Sequence, residues 1–138
     1  MKLKEKIIIL TGAYGGIGSE TARLLLDAGA RVVLVGRNNK KMNDLIEEFP
    51  LTDNNIISVV ADVSLESDRQ KIIDKALSAF GNIDVLINLA GSMSFNEFSQ
   101  EDTETTDRLF QVNVLAPMHL TKMVIPHMVE RGSGQIVN

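Results

Sequence analysis

At 138 residues the chain is long enough for one domain with a core, and 44% apolar with 23% charged residues is the balance of an ordinary globular protein. A net charge of −4, with lysines and arginines interspersed among eighteen acidic residues, excludes nucleic-acid binding by bulk charge. The absence of cysteine excludes disulfides, thiolate catalysis and cysteine-ligated zinc, and fits a cytoplasmic location.

Met1 to Lys6 alternates in charge, without the apolar core and small-residue cleavage site of a signal peptide. No apolar run approaches the ~20 residues of a membrane span. The nearest, Val112 to Val129, is interrupted by Asn113, His119, Lys122, His127 and two prolines. The first strand is predicted at Ile7 to Leu10, ending at a glycine-rich loop. A helix follows, in which Ile17, Leu24, Leu25 and Ala28 share a face and Gly29 closes the C-terminus. Arg31 to Val35 predicts the second strand. Met42, Leu45, Ile46 and Phe49 repeat at three and four through the next helix, which Pro50 stops, and Pro50 to Asn55 is a polar connection. Ile56 to Val60 predicts the third strand. The third helix has Ser64 as N-cap, a stripe of Ile72, Ile73, Ala76, Leu77 and Phe80, and Gly81 beyond its end. Ile83 to Ile87 predicts the fourth strand. One long helix is then expected from Asp102 to Arg131, kinked near Pro117 and ended by Gly132, before Ile136 and Val137 begin a fifth strand. Continuous β-branched runs indicate strands buried on both faces. Strict β–α alternation predicts an α/β chain with an open parallel sheet and helices on both sides, as a single domain over residues 1–138.

The segment Thr11-Gly12-Ala13-Tyr14-Gly15-Gly16-Ile17-Gly18 joins the first strand to the first helix. Gly12 lets the chain leave the strand in a tight turn. Gly16 removes a Cβ where backbone approaches a pyrophosphate, and Gly18 permits close helix–sheet packing. The helix N-terminus adds free N–H groups and the positive end of its dipole. Strand before and helix after is the context of a dinucleotide site, and the lack of a following Gly-Lys-Ser/Thr speaks against a P-loop. At the end of the second strand an acidic residue would bond the 2′-hydroxyl of NAD. This chain has Gly36-Arg37, with Lys40 and Lys41 behind, and Arg37 suits the 2′-phosphate of NADP. NADP(H) is therefore expected over NAD(H).

These residues resemble the short-chain dehydrogenases/reductases. Thr11-Gly12 with Gly16-Ile17-Gly18 matches the family's Thr-Gly-x-x-x-Gly-x-Gly. Asp62-Val63 follows the third strand, where the family's Asp contacts adenine. Asn88-Leu89-Ala90-Gly91 is similar to its Asn-Asn-Ala-Gly, Asn113 to the Asn of its long fourth helix, and "GSGQIVN" to the lead into its fifth strand. The resemblance covers the whole chain. It implies a Rossmann-type doubly wound parallel sheet of order 3-2-1-4-5. It further implies cofactor contacts at Thr11, Gly12, Tyr14, Gly15, Gly16, Ile17, Gly18, Arg37, Asp62, Val63, Asn88, Ala90 and Gly91. Two departures stand out. Tyr14 and Gly15 replace small hydroxyl residues common in the family, and Leu89 replaces the second Asn of the fourth-strand motif.

In the resembling enzymes the fifth strand leads to a catalytic Ser, and a Tyr with a Lys four residues later follows. This sequence ends at Asn138, has Tyr14 as its one tyrosine and contains no Tyr-x-x-x-Lys. Asn113, which in the family organises a water-linked proton relay to that Lys, is the one catalytic residue present. A missing proton donor alone removes a factor of about 10²–10⁴. His119 and His127 read as surface residues, and the acidic residues show no metal-ligand spacing, so no metal is expected. Three expectations stay open. The chain is the cofactor-binding half of an NAD(P)-dependent oxidoreductase, moving hydride between nicotinamide and an alcohol or carbonyl, and is inactive alone. Or it is a non-catalytic dinucleotide-binding or scaffold module. Or the sequence is truncated after the fifth strand, whose open edge then predicts self-association. The resemblance also implies a homo-oligomer through helix 102–131, with about half of Met118, Leu120, Met123, Val124 and Met128 facing the sheet. Ser92 to Phe98 is the one stretch placed to touch a substrate and is too generic to choose its class.

Overall fold

A computed structural model describes residues 2–49 and 54–138. The expected stop at Pro50 and the first four residues of the connection 50–55 lie outside the described residues. Five strands, β1 (Ile7–Thr11), β2 (Arg31–Gly36), β3 (Ile56–Val60), β4 (Val85–Asn88) and β5 (Gln135–Val137), form one parallel sheet in the order β3-β2-β1-β4-β5. The helices are α1 (Gly16–Asp27), α2 (Asn39–Glu47), α3 (Glu66–Phe80), α4 (Thr103–Phe110) and α5 (Ala116–Glu130).

The side chains of a strand alternate between its two faces. Ile8, Leu10, Val32, Leu34 and Val85 therefore pack with Ala22 and Leu25 of α1 and Met42 and Leu45 of α2. Ile9, Val33, Val35 and Leu86 pack on the opposite side, with Ile72, Ile73 and Ala76 of α3 and Ala116, Leu120 and Val124 of α5. Both faces are covered, so β1 is buried along its whole length and can be continuously apolar. The chain reverses direction across the sheet after β3, which opens a crevice at the C-terminal ends of β1 and β4, the ligand position in doubly wound sheets.

Asp84 closes the opposite end of the sheet. Its Oδ2 accepts from the Ile7 N–H at 2.9 Å and its Oδ1 lies 3.2 Å from Lys6 Nζ. Its backbone carbonyl accepts from the Gln135 N–H at 3.0 Å, and Arg131, just past α5, stands 3.7 Å from its carboxylate. Burial works against ionisation here, but the Ile7 hydrogen bond and the Lys6 and Arg131 charges outweigh it and hold the carboxyl below its ordinary value.

Three local expectations are corrected. Of the expected face of α1 only Leu25 is buried; Ile17, Leu24 and Ala28 are exposed, and Gly18 and Ala22 are buried in their place. Glycine occupies position 18 because α1 starts close against the loop leaving β1. Ser64 does not cap α3: Leu65 is the N-cap, while Ser64 N–H and Oγ both donate to Asp62 Oδ1. The long helix 102–131 is not a single α-helix kinked at Pro117. α4 starts behind an Asp102 cap, a π-turn occupies Gln111–Leu115, and Pro117 falls in the first turn of α5. The Ala116 N–H reaches back to the Gln111 carbonyl, the five-residue bond of a π-turn. Proline has no N–H to give to the carbonyl of Asn113 four residues earlier, so the wide turn is placed where the α-helical ladder must be interrupted anyway. Beyond it, Leu120, Val124 and Met128 face the sheet, Met123 is partly buried and Met118 is exposed.

Candidate functional site

Gly12 leaves β1 at φ +70°, in the left-handed region, and a Cβ there would stand 2.8 Å from the Ala90 nitrogen, so glycine alone fits. The first backbone bond of α1 runs from Ser19 N–H to the Gly15 carbonyl at 2.8 Å. The N–H groups of Gly16, Ile17 and Gly18 therefore have no acceptor within the helix. Among the described residues no side chain caps them, and no acid lies in the first turn, whereas α2 and α4 are capped by Asn38 and Asp102. In front of Gly16 there is open space: a Cβ would meet no atom within 4 Å. An uncapped, unobstructed helix start of this kind suits an anion.

Beside it lies a cleft of about 290 Å³ at the C-terminal ends of the strands. Gly12, Tyr14 and Gly15 line it from the loop after β1, Arg37 from the end of β2, and Asp62 and Val63 from the loop after β3. Leu89, Ala90, Gly91 and Ser92 contribute from the loop after β4, and Arg108 and Val112 close the far side. The Tyr14 ring lies against Gly36, and Lys41 Nζ stands 5.6 Å from its centroid, within cation–π range. Arg37 and Lys41 thus place two exposed cations at one end of the cleft.

Asp62 lines the cleft from the neighbouring strand, whose Ala61 N–H donates to the Gly36 carbonyl at 3.0 Å. Ser64 N–H and Oγ donate to its Oδ1 at 3.0 and 2.7 Å, and Arg108 Nη2 donates to its Oδ2 at 3.0 Å. Partial burial disfavours the charge, yet the Ser64 hydrogen bonds and the Arg108 guanidinium hold the carboxyl below its ordinary value.

The remaining candidates stand apart from this cleft. Thr11 is buried beneath it: its Oγ1 accepts from Leu89 N–H at 3.1 Å and Ala90 N–H at 3.0 Å and donates to the Ile87 carbonyl at 3.3 Å. Thr11 therefore builds the floor by tying β1 to the end of β4. Leu89, where the family has Asn, packs against the core on the α1–α2 side, so an apolar side chain suits the position. Gly16 and Ile17 lie just beyond the cleft at the start of α1, and Gly18 packs behind them. Asn88 faces a second, shallower depression shared with Asn113 and Asn138, and its Nδ2 donates to Asn138 Oδ1 at 2.8 Å. Asn113 uses both ends of its amide on one residue, accepting from Ser92 N–H at 2.8 Å and donating to the Ser92 carbonyl at 2.7 Å. It thereby fixes the loop after β4. Arg108 escaped sequence reasoning, because nothing in the spacing announces a pair 46 residues apart. Among the described residues no group of three or more His, Asp or Glu side chains is placed to hold a metal, and no helix is long and apolar enough to cross a membrane.

Comparison with known proteins follows the same lines. The family profile described as short chain dehydrogenase matches residues 6–138. An uncharacterized oxidoreductase of Staphylococcus epidermidis is 32% identical over 137 residues, covering 99% of this chain and 58% of its own length. A short-chain dehydrogenase/reductase of unknown function from Caenorhabditis elegans, solved with cofactor, superposes with a TM-score of 0.90 at 32% identity, covering 100% of this chain and 53% of that one. A 3-ketoacyl-(acyl-carrier-protein) reductase from Brucella melitensis, complexed with NADH, superposes with a TM-score of 0.86 at 31% identity, covering 94% and 53%. The chain thus spans little more than half the length of these relatives.

Proposed function

The chain belongs to the short-chain dehydrogenase family, and from that premise we propose that it holds NADP(H) in the cleft at the ends of β1 to β4 for hydride exchange between nicotinamide and an alcohol or carbonyl. One observation carries the reading: α1 begins with three N–H groups that no side chain caps among the described residues, next to a cleft lined by Arg37 and Lys41. The glycine cradle leaves room for a pyrophosphate, so the residues present fit the dinucleotide. Gly16, Ile17 and Gly18 are assigned to the diphosphate, Arg37 with Lys41 to the 2′-phosphate, and Asp62 with Val63 to adenine. When bound, the cofactor supplies the hydride donor or acceptor. Asn113 positions the loop after β4 through Ser92. These 138 residues contain no Tyr-x-x-x-Lys, so by themselves they are proposed to bind the dinucleotide without turning over an alcohol. In the same reading, exposed Phe110, Val114, Met118, Ile125 and Val129 form the face through which copies of the family's long helix pair.

Calorimetric titration of the purified chain with NADPH and NADH tests the assignment. NADPH is expected to bind more tightly, and Arg37→Ala to remove most of the difference. A folded chain that binds neither nucleotide refutes the function, and equal affinity for both refutes the NADP preference. Steady alcohol oxidation by the chain alone at an ordinary enzymatic rate refutes the assignment of binding without turnover.

A further inference from the structure

A carboxylate offers about four acceptor sites. In Asp62 three are filled: two on Oδ1 by Ser64, and one on Oδ2 by Arg108. The Ser64 contacts are local, two residues along the same loop. The Arg108 contact crosses the cleft from α4. The path of the loop itself does not depend on it. Asp62 N–H donates to Asp68 Oδ2 at 2.7 Å, Arg69 Nη1 to the Val63 carbonyl at 2.8 Å, and Leu65 N–H to the Asp62 carbonyl at 3.0 Å. What Arg108 adds is a fixed rotation of the carboxylate, with one acceptor site left on Oδ2. Both side chains line that cleft.

We propose that Arg108 is a positioning residue for the adenine end of the dinucleotide, holding the Asp62 carboxylate so that Oδ2 accepts from the exocyclic amino group of the base. The proposal rests on the nucleotide-binding reading above. It assigns a specificity that a purely structural ion pair lacks: the base must carry an N–H donor at C6, where adenine has an amino group and hypoxanthine a carbonyl.

The test is calorimetric titration of the chain with NADPH and with its hypoxanthine analogue, for wild type, Arg108→Ala, Arg108→Lys, Asp62→Asn and the Arg108→Ala/Asp62→Asn double variant. Wild type is expected to prefer NADPH by about tenfold, the worth of one hydrogen bond to a charged group. Arg108→Ala is expected to weaken NADPH about fivefold, as suits a half-exposed pair, while the hypoxanthine analogue is unchanged. Arg108→Lys restores most of the preference, and Arg108→Ala adds no further loss to Asp62→Asn. Equal wild-type affinity for the two nucleotides overturns the proposal, as does an equal loss of both in Arg108→Ala. A full Arg108→Ala loss that persists with Asp62→Asn assigns Arg108 a direct ligand contact and also overturns it. A folded wild type that binds neither nucleotide refutes the functional reading and takes this one with it, whereas normal NADPH binding unaffected by Arg108→Ala refutes this one alone.

Discussion

Gly18 carries no catalytic group, yet the position of α1 depends on it. A Cβ there would run into the carbonyl oxygen of Gly12 and stand 2.9 Å from the carbonyl oxygen of Ala13. Both are backbone atoms, so no side chain can swing away. Gly18→Ala must push the start of α1 off the loop leaving β1, an overpacking cost of about 1–3 kcal/mol. The displaced N–H groups of Gly16 and Ile17 then no longer present the same anion site. Urea unfolding should show the loss of stability, and titration should show NADPH weakened by about tenfold, or 1.4 kcal/mol. An alanine variant with wild-type stability and affinity would show that the close approach is not what positions the helix. Gly18 and Gly12 were legible from the motif because their reason is local and steric. Thr11 was legible as a position but not as a role. The motif marks it beside the cofactor, whereas its hydroxyl is spent on the Leu89 and Ala90 N–H groups, beneath the cleft.

At the scale of elements, Asp84 joins the start of β1, the approach to β4, the entry to β5 and the end of α5. Its carboxyl is held below its ordinary value in the folded chain. A depressed native pKa contributes stability that is fully present above the unfolded value, near 3.9. That contribution is lost as pH falls through 3.9 toward the lower native value. Asp84→Asn should therefore cost about 2 kcal/mol near neutral pH, where a buried hydrogen bond to a charged acceptor is exchanged for a neutral one. Its stability should also fall less steeply than wild type between about pH 4 and the acid limit. Parallel pH profiles for the two chains would remove Asp84 from this role. The strands themselves were readable because buried parallel strands are continuous apolar runs, and helix ends because Gly29, Gly81 and Gly132 adopt positive φ where the chain turns. The π-turn at Gln111–Leu115 was not readable. Pro117 shows that a helix must yield, but not whether it bends or widens. The Ser64 cap failed for a local reason: Asp62, two residues earlier, accepts from both its N–H and its Oγ, and the helix starts one residue later behind Leu65.

For the molecule as a whole, the order β3-β2-β1-β4-β5 followed from resemblance, since periodicity shows which runs are strands but not which are neighbours. The same order explains why Asp62 and Arg108, far apart in sequence, share one cleft: α4 follows β4, on the other side of β1 from β3. One sheet also serves two cores, and this coupling has a measurable consequence. Leu34 belongs to the core under α1 and α2, and Leu86 to the core under α3 and α5, and both are fully buried. Removing either leaves a cavity between sheet and helix, at a cost of about 2–5 kcal/mol. Were the two layers independent, each change would melt its own face and leave the other behind. Every strand of the centre, however, contributes alternate residues to both cores, so neither face retains its sheet surface once the other loosens. Leu34→Ala and Leu86→Ala should each lower a single transition, with far-UV circular dichroism and Tyr14 fluorescence changing together. Tyr14 packs on the α1–α2 side and so reports that face specifically. Two separated transitions in Leu86→Ala, with the Tyr14 signal melting at the wild-type midpoint, would mean that the faces unfold independently and that the sheet does not couple them.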